Sequence, residues 1–435
     1  MRSNAGTLAL SNLGGTYAFN STYLVLQANS RTGTFDALTG TNAFGILYRP
    51  ELVYTASQVL VRLAPNTLAG IIGNQALTFN ERSVQQRVDA AVAAGYNPQP
   101  LFALYNLPTG QIPAALDQFS GEVYAAAAGA GIEQERLVRE AVMNRLSTTA
   151  AAARADAGAA RGAGMWGQAF GSWGDVEGDG NASGADIDRT GFVVGIDVGG
   201  GHDNDSWRIG AFGQYVKTRV GVDSLGSRTE IEQTGGGVYA GFTSGGFGAS
   251  IGGSYTQIDL SARRTVNISA LTETSNGEGD GEAYQGFAEL SYAIPSGHWT
   301  FRPFVAGHIG SFKIDALTET GGAGALSVGR QSYTDATGTA GINAAARLGR
   351  LRLSGTLAAR AQLGDRDMHL STALAAAPAQ AFDIRGVQLD DIALAAQFDA
   401  TLRLGRRVDF SIGYTGLIGE NTHDHGARAT LSIHF

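Results

Sequence analysis

The chain has 435 residues, with 62 glycines, nine prolines, no cysteine and a formal charge of −8. No apolar run reaches the ~18 residues of a membrane-crossing helix. The lack of cysteine excludes disulfides, thiol chemistry and cysteine-based metal sites, and the mild acidity argues against nucleic acid as a partner.

In chain order, three regions follow. Residues 1–64 hold short apolar β runs between Gly, Asn and Ser turns: Thr7-Leu-Ala-Leu10, Gly15-Thr-Tyr17, Tyr23-Leu-Val-Leu26, Gly33-Thr-Phe35 and Leu60-Val-Arg-Leu63. Such runs fit rungs of a β-solenoid stacked on further rungs. The start, Met1-Arg-Ser-Asn-Ala-Gly-Thr-Leu-Ala-Leu10, lacks the apolar run of a signal peptide. The expectation is therefore the C-terminal part of a longer product, or a start codon placed too late.

Residues 65–163 turn helical. Apolar positions recur at helical spacing over Arg82 to Ala94 and Ile112 to Leu146, among them Leu116, Phe119, Val123, Tyr124, Leu137 and Val138. Ser147 to Arg161 is rich in alanine and almost free of bulky side chains. It is a strong helix former, and a slender helix about 10 Å across could run inside a pore that begins at once with Met165-Trp-Gly-Gln-Ala-Phe-Gly-Ser-Trp173.

From Gly164 onward about twelve strands are predicted by period-2 alternation. The chain ends on one of them: Ala429, Leu431, Ile433 and Phe435 share one face, and Arg428, Thr430, Ser432 and His434 the other. Phe192, Val194, Ile196 and Val198 face away from Arg189 and Asp197, and Leu351, Leu353, Leu357 and Leu363 from Arg352, Thr356 and Arg360. Tyr284 and Tyr292 share the face of Leu290; eight residues span about 26 Å at a rise of ~3.3 Å, close to the height of an outer-membrane apolar band. A soluble sandwich would also alternate, with its apolar faces meeting inside. The connections favour the barrel. Ser244-Gly-Gly246, Pro295-Ser-Gly297, Leu348-Gly-Arg350 and Leu404-Gly-Arg-Arg407 are tight, whereas Arg219 to Arg228, Ala262 to Gly281, Ile314 to Arg330, Asp365 to Arg385 and Gly419 to Gly426 read as long polar loops. Short turns at one end and long loops at the other describe an up-and-down outer-membrane barrel, short side to the periplasm.

Chemical sites are weakly signalled. His423-Asp-His425 reads as a solvated turn rather than a metal site, and Val222-Asp-Ser-Leu225 lacks the glycine that a lipase-type block carries before its aspartate. Gly162-Ala-Gly-Met-Trp-Gly167 precedes a strand, where a dinucleotide fingerprint would follow one. No catalytic, cofactor or metal residue is assigned. The inward charges Arg208, Glu289, Arg302, Arg352, Arg360, Asp391, Asp399, Arg403, Asp409 and Arg428 need water or partners. A wet lumen holding a helix with Arg154, Asp156 and Arg161 would supply both.

The chain resembles the C-terminal portion of a type V secretion autotransporter. Gly33-Thr-Phe35, Leu60-Val-Arg-Leu63 and Pro65-Asn66 resemble the end of a pertactin-like passenger. Asn74-Gln75, Ala115-Leu-Asp-Gln-Phe-Ser-Gly-Glu-Val-Tyr124, the Arg139 to Leu146 helix, Met165-Trp-Gly-Gln-Ala-Phe-Gly171 and the terminal aromatic strand carry the rest. The resemblance implies an all-β transmembrane antiparallel barrel of twelve strands, residues 164–435. Before it would lie a helical linker with a pore helix, 65–163, and the end of a β-helical passenger, 1–64. It implies an outer-membrane translocator that secretes and anchors its own passenger at the cell surface and is not an enzyme. The implied partners are outer-membrane lipid, the passenger, periplasmic chaperones and the barrel-assembly machinery, which would read Phe435. In some members an asparagine of the pore helix cyclises to release the passenger; Asn144 stands at that place, followed by Arg145 rather than a second asparagine. A diffusion porin and a barrel hydrolase are the alternatives: the first would lack the Ala-rich helix, the second would need an acid/base or Ser/His/Asp group converging in space.

Overall fold

The computed structural model describes residues 6–155, 162–202, 205–405 and 407–435, with side chains of the helix described to Ala151. At the N-terminal end β1 (Thr7–Ala9) is followed by β2 (Ser21–Gln27), β3 (Ala37–Thr39), β4 (Tyr48–Tyr54) and β5 (Gln58–Pro65). Strands β1 and β3 pair in parallel, as solenoid rungs do, whereas β2, β5 and β4 form an antiparallel sheet in that order. The short Thr55 to Ser57 connection dictates that difference, because a tight turn can only join antiparallel neighbours.

Five helices come next: α1 (Leu68–Ile72), α2 (Phe79–Ala93), α3 (Phe102–Tyr105), α4 (Ile112–Asp117) and α5 (Glu122–Ala155). Thr78 and Glu81 close the start of α2 as a reciprocal capping box. The helical pattern over Ile112 to Leu146 is broken at Gly121, whose φ of +77° turns the chain between α4 and α5.

The remaining strands are β6 (Gly162–Val176), β7 (Ala185–His202), β8 (Asp205–Val222), β9 (Ser227–Ser244), β10 (Phe247–Ile268), β11 (Leu271–Tyr292), the short β12 (Ile294–Ser296), β13 (Trp299–Ile314), β14 (Leu317–Thr318), β15 (Leu326–Val328), β16 (Gln331–Leu348), β17 (Leu351–Gln362), β18 (His369–Leu374), β19 (Phe382–Arg385), β20 (Ile392–Arg403), β21 (Val408–Ile418) and β22 (Thr422–His434). Neighbours pair antiparallel all the way round. The ring of twelve long strands closes where β22 meets β6, with Ser432 opposite Trp166. The C-terminus lies at one end with turns such as 245–246 and 349–350, and this is therefore the periplasmic end; the other end carries the largest connections, 315–330 and 363–391, beside short turns at 223–226, 269–270 and 419–421.

The outward face between the two ends is apolar. Ile196, Ile251, Val305, Ile309, Leu357 and Ile412 are all more than half exposed to the barrel's surroundings. Trp207, Phe242, Phe247, Tyr292 and Trp299 ring the periplasmic edge, and Trp173, Phe192, Tyr255, Tyr284 and Tyr414 the outer edge, the two aromatic girdles of a lipid-spanning band. Leu357→Arg is accordingly expected to cost about 2–4 kcal/mol, with Thr356→Arg on the lumen face far milder. Urea titrations of refolded protein in detergent check this, and equal losses on both faces would remove the lipid-facing assignment.

Above the outer girdle the two faces exchange character. On β10, Phe247, Ile251 and Tyr255 point to lipid, but the next outward residues, Gln257, Asp259, Ser261 and Arg263, are polar. The inward set changes in the opposite sense, from Ser250, Ser254 and Thr256 to buried Ile258, Leu260, Val266 and Ile268. The strands leave the membrane there and continue as a soluble-type wall around an apolar interior. This corrects three expected loops, of which Gly419 to Gly426 is one, with β22 beginning at Thr422. Ala262 to Gly281 is a tall hairpin with Ile268 opposite Leu271, and Arg219 to Arg228 is mostly strand, turning only at Asp223–Leu225. Pattern reading ends where the outward face stops being apolar, although the hydrogen-bonded ladder does not.

The connections that follow β13 and β17 build a four-stranded sheet, β14-β15-β18-β19, over the outer mouth. It packs with α1 to α4 and the upper strands into one apolar cluster including Leu104, Phe119, Phe312, Leu326, Met368 and Phe382. Asn80 of α2 clamps β19 through two bonds at 2.9 Å, donating from its amide to the Arg385 carbonyl and accepting the Arg385 N–H.

Candidate functional site, the helix-filled pore

Helix α5 enters the barrel at the outer mouth and ends at the periplasmic side. Its top is held by the collar: the Tyr124 hydroxyl donates to Glu319 Oε1 at 2.9 Å, and the buried Arg264 Nε donates to the same oxygen at 3.0 Å. Ala125 to Gly131 then passes between the walls with only small side chains. At Gly131 a Cβ would stand 2.5 Å from Phe312 Cζ, so the ring of β13 demands glycine there.

Below this neck the helix carries long charged side chains, each met by the wall. Glu133 accepts two bonds at 2.6 Å from Arg360 of β17. Arg136 donates to Asp424 of β22 at 2.5 Å and to Glu140 at 2.9 Å, and Arg139 to Gln285 of β11 at 2.7 Å. Gln134 donates to Gln233 of β9 at 2.7 Å and accepts from Thr218 of β8. On another face Leu137, Val138, Val142 and Leu146 bury against Val193, Phe212, Val216 and Tyr239 of β7, β8 and β9. At the bottom Arg145 forks onto Asp197 of β7 at 2.7 and 2.9 Å, and Asp197 also accepts from Arg208 of β8 at 2.5 Å and from the Tyr239 hydroxyl at 2.8 Å. Trp166 donates to the Tyr239 oxygen at 2.7 Å. A side chain at Gly164 would strike Arg145 and Asp197, so β6 leaves room for the pair only as glycine. A buried charge that is paired and bonded on every side locks the helix in one register.

The expected site residues take their places as follows. Arg208 faces Asp197, Arg360 faces Glu133, Glu289 pairs with Arg302, and Asp399 accepts two bonds from Arg428 at 3.0 and 2.8 Å. Arg352 faces the lumen near its periplasmic end. Arg403 and Asp409 pair at 3.4 Å at the periplasmic rim, with Arg403 half exposed. Asp391 is not a lumen residue: it precedes β20 at the outer rim, exposed, 3.1 Å from Arg366. Strand parity alone points it inward, but pairing begins only at Ile392, one residue later. Asn144 lies on α5 within the lumen, its amide nitrogen buried without a hydrogen-bond partner among the described residues. The Arg154 side chain, Asp156 and Arg161 lie outside the described residues. Phe435 ends the chain at the periplasmic side, its N–H donating to the Ala163 carbonyl at 2.9 Å. The described part of the Ala-rich run, to Ala155, lies at the periplasmic end of the pore, where Ser147, Ala150 and Ala151 line its clefts.

Glu133, Arg136, Glu140 and Arg145 carry much of the contact and are not among the candidates the sequence offers, and Asp424 stands there only inside a block read as a solvated turn. Their signal was present, since Glu133, Arg136 and Glu140 at spacings of three and four form a charged ladder along one helix side. The His423-Asp-His425 block is split by the pleat. Asp424 points inward to Arg136, while His425 faces outward and meets the Tyr414 hydroxyl at 2.6 Å.

One carboxyl outside the membrane has a consequence for pH. Burial pushes Asp117 in α4 up to about 7, helped by the nearby Glu81 and Glu122 carboxylates, and its Oδ1 has no hydrogen-bond partner among the described residues. A raised acid is protonated in the folded state before it is in the unfolded one, so docking of the α1 to α4 cap weakens as pH rises through the interval up to about 7 and then levels off. Hydrogen exchange of residues 66–121 at pH 5 and pH 8, corrected for the intrinsic rate, should show easier opening at pH 8, and Asp117→Asn should reduce the difference, the remainder belonging to Glu122, which burial also raises to about 7.

A twelve-stranded outer-membrane barrel threaded by a helix that it pairs charge for charge defines a plugged translocator. The Autotransporter beta-domain family model matches residues 165–415, and the chain belongs to that family. Two relatives, each named extracellular serine protease, from Serratia marcescens, are 24% identical over 92% of this chain; it spans 39% of their length. Among solved structures, the translocator domain of autotransporter NalP from Neisseria meningitidis is matched along its whole length at TM-score 0.56 and 17% identity, covering 72% of this chain. The β domain of the Bordetella autotransporter BrkA is likewise matched whole, at TM-score 0.45 and 12% identity over 63% of this chain. The protein is an outer-membrane translocator of the autotransporter type, located in the bacterial outer membrane.

Proposed function

We propose that residues 1–64 are the end of a β-helical passenger, that 65–163 are its linker and pore helix, and that 164–435 deliver it outward and then anchor it. The observation that carries this reading is the direction of α5. Its first residue, Glu122, accepts the Ser183 N–H at 2.7 Å in the connection after β6, at the outer mouth, while the strand that follows the helix starts beside Phe435 at the periplasmic end. This direction supports a reading in which the described residues before Glu122 are at the cell surface and β6 starts from the periplasmic end, as in a chain that has already been secreted. The chain itself performs no catalysis in this reading; an activity would belong to the passenger. Phe435, apolar, terminal and more than half exposed, is the residue offered to the barrel-assembly machinery, with periplasmic chaperones carrying the chain there.

The absence of native cysteine makes the topology directly testable. Ser30→Cys should react with a membrane-impermeant maleimide on intact cells. Ser296→Cys, in a periplasmic turn, should react only after the outer membrane is opened. Protection of Ser30→Cys on intact cells would reverse the orientation.

A further inference from the structure

Helix α5 does not fill the barrel evenly. It packs its apolar stripe on β7, β8 and β9, and on the other side a cleft remains between the helix and β13, β16 and β17. At the periplasmic end this cleft, open on one side, has a volume of about 180 Å³ and is lined by Ser147, His298, Arg302, Asn343, Arg347 and Arg352. That is room for a small anion with a few waters. Farther up, Glu133 with Arg360 and then the apolar cluster of the collar close the way, so the space is a blind vestibule entered from the periplasm.

Its charge is unlike that of the rest of the lumen. Arg145, Arg208, Arg360 and Arg428 each meet a carboxylate directly. Arg347 and Arg352 stand directly opposite one another in the antiparallel register of β16 and β17, and neither has an ion pair among the described residues. Arg347 is exposed and Arg352 partly buried, with Asp399 and Asp409 lining the adjoining cleft; like charges in facing cross-strand positions repel, and an anion seated between them would relieve that repulsion. Arg302, the third guanidinium, is already taken by Glu289.

We propose that Arg347 and Arg352 form a binding site for a small phosphate-bearing dianion of the periplasm, seated in this vestibule beside the helix. Guanidinium groups meet phosphate oxygens through two parallel N–H donors each, and Asn343, His298 and the Ser147 hydroxyl line the same space as further polar groups. A lipid phosphate has no access, because both arginines lie on the lumen face with Asn343, while Ile342 and Leu348 face the bilayer. Free anion, not membrane, is the source.

The test uses the full chain refolded in an uncharged detergent and titrated with inorganic pyrophosphate by calorimetry at low salt. One site per barrel is expected, weakening as salt is raised. Arg347→Gln and Arg352→Gln should each lower affinity by at least ~10-fold, the loss of one charge-assisted contact. Arg347→Lys, which keeps the charge, should retain most of it, and Arg219→Gln on the outer rim should change nothing. Heat-modifiable migration on gels verifies that each variant is folded. Vesicles of anionic phospholipid replacing pyrophosphate should not compete. Binding that survives both glutamine substitutions, absence of binding at millimolar pyrophosphate, or binding that appears only in Asp156→Asn would each overturn the proposal, the last by showing that the chain's own carboxylate occupies the site.

Discussion

Asp197→Ala is expected to destabilise the plugged barrel by about 3–5 kcal/mol, the cost of removing one partner from a buried charge cluster. The Asp197 side chain is fully buried and is shared by Arg145 of the helix, Arg208 of the wall and the Tyr239 hydroxyl. Its loss takes the shared counter-charge away from Arg145 of the helix in a space lined by Trp166 and Phe212. Adding Arg145→Ala should recover part of the loss, since one stranded charge goes with it. Urea unfolding in detergent reads both. A loss below about 1 kcal/mol, the scale of an exposed pair, would mean that the cluster is hydrated and does not fix the helix.

The second large effect is on conduction. A barrel from which residues 1–155 are deleted should conduct ions in planar bilayers, whereas the intact chain should stay near the closed level. A helix about 10 Å across, widened at mid-pore by Glu133, Arg136, Arg139 and Glu140, occupies a lumen that is otherwise lined with small and polar groups such as Ser250, Thr256 and Thr415. Deletion should also raise uptake of large antibiotics by cells. Equal conductance of the two forms, with both verified as folded, would place the helix outside the pore.

The lipid-spanning band was legible because water and lipid impose opposite demands on alternate residues, so Phe192 to Val198 or Ala429 to Phe435 carries its own orientation. The upper wall was not, because at Tyr255 to Ile258 the demand reverses and the same strand reads as a loop. The pore helix was visible as a helix, but its contacts were beyond sequence reasoning. Glu133 finds Arg360 at a separation of 227 residues and Arg136 finds Asp424 at 288, and only closure of β22 on β6 brings the latter side chain round to the helix. Asp391 shows the converse error, since parity counted from sequence runs past the point where pairing begins.

The reversal of faces above the outer girdle gives secretion a direction. An empty barrel would hold Ile258, Leu260, Val266 and Ile268 against water, and the arrival of Ala125 to Gly131 with the α1 to α4 cap removes them from it. Each large aliphatic side chain so covered contributes about 1.5–3 kcal/mol. Sliding back toward the periplasm would re-wet this surface and pull Glu133 and Arg136 from their partners, so the last stretch of chain to leave works as a ratchet pawl. Retention at the surface then needs no energy source beyond the chain's own burial.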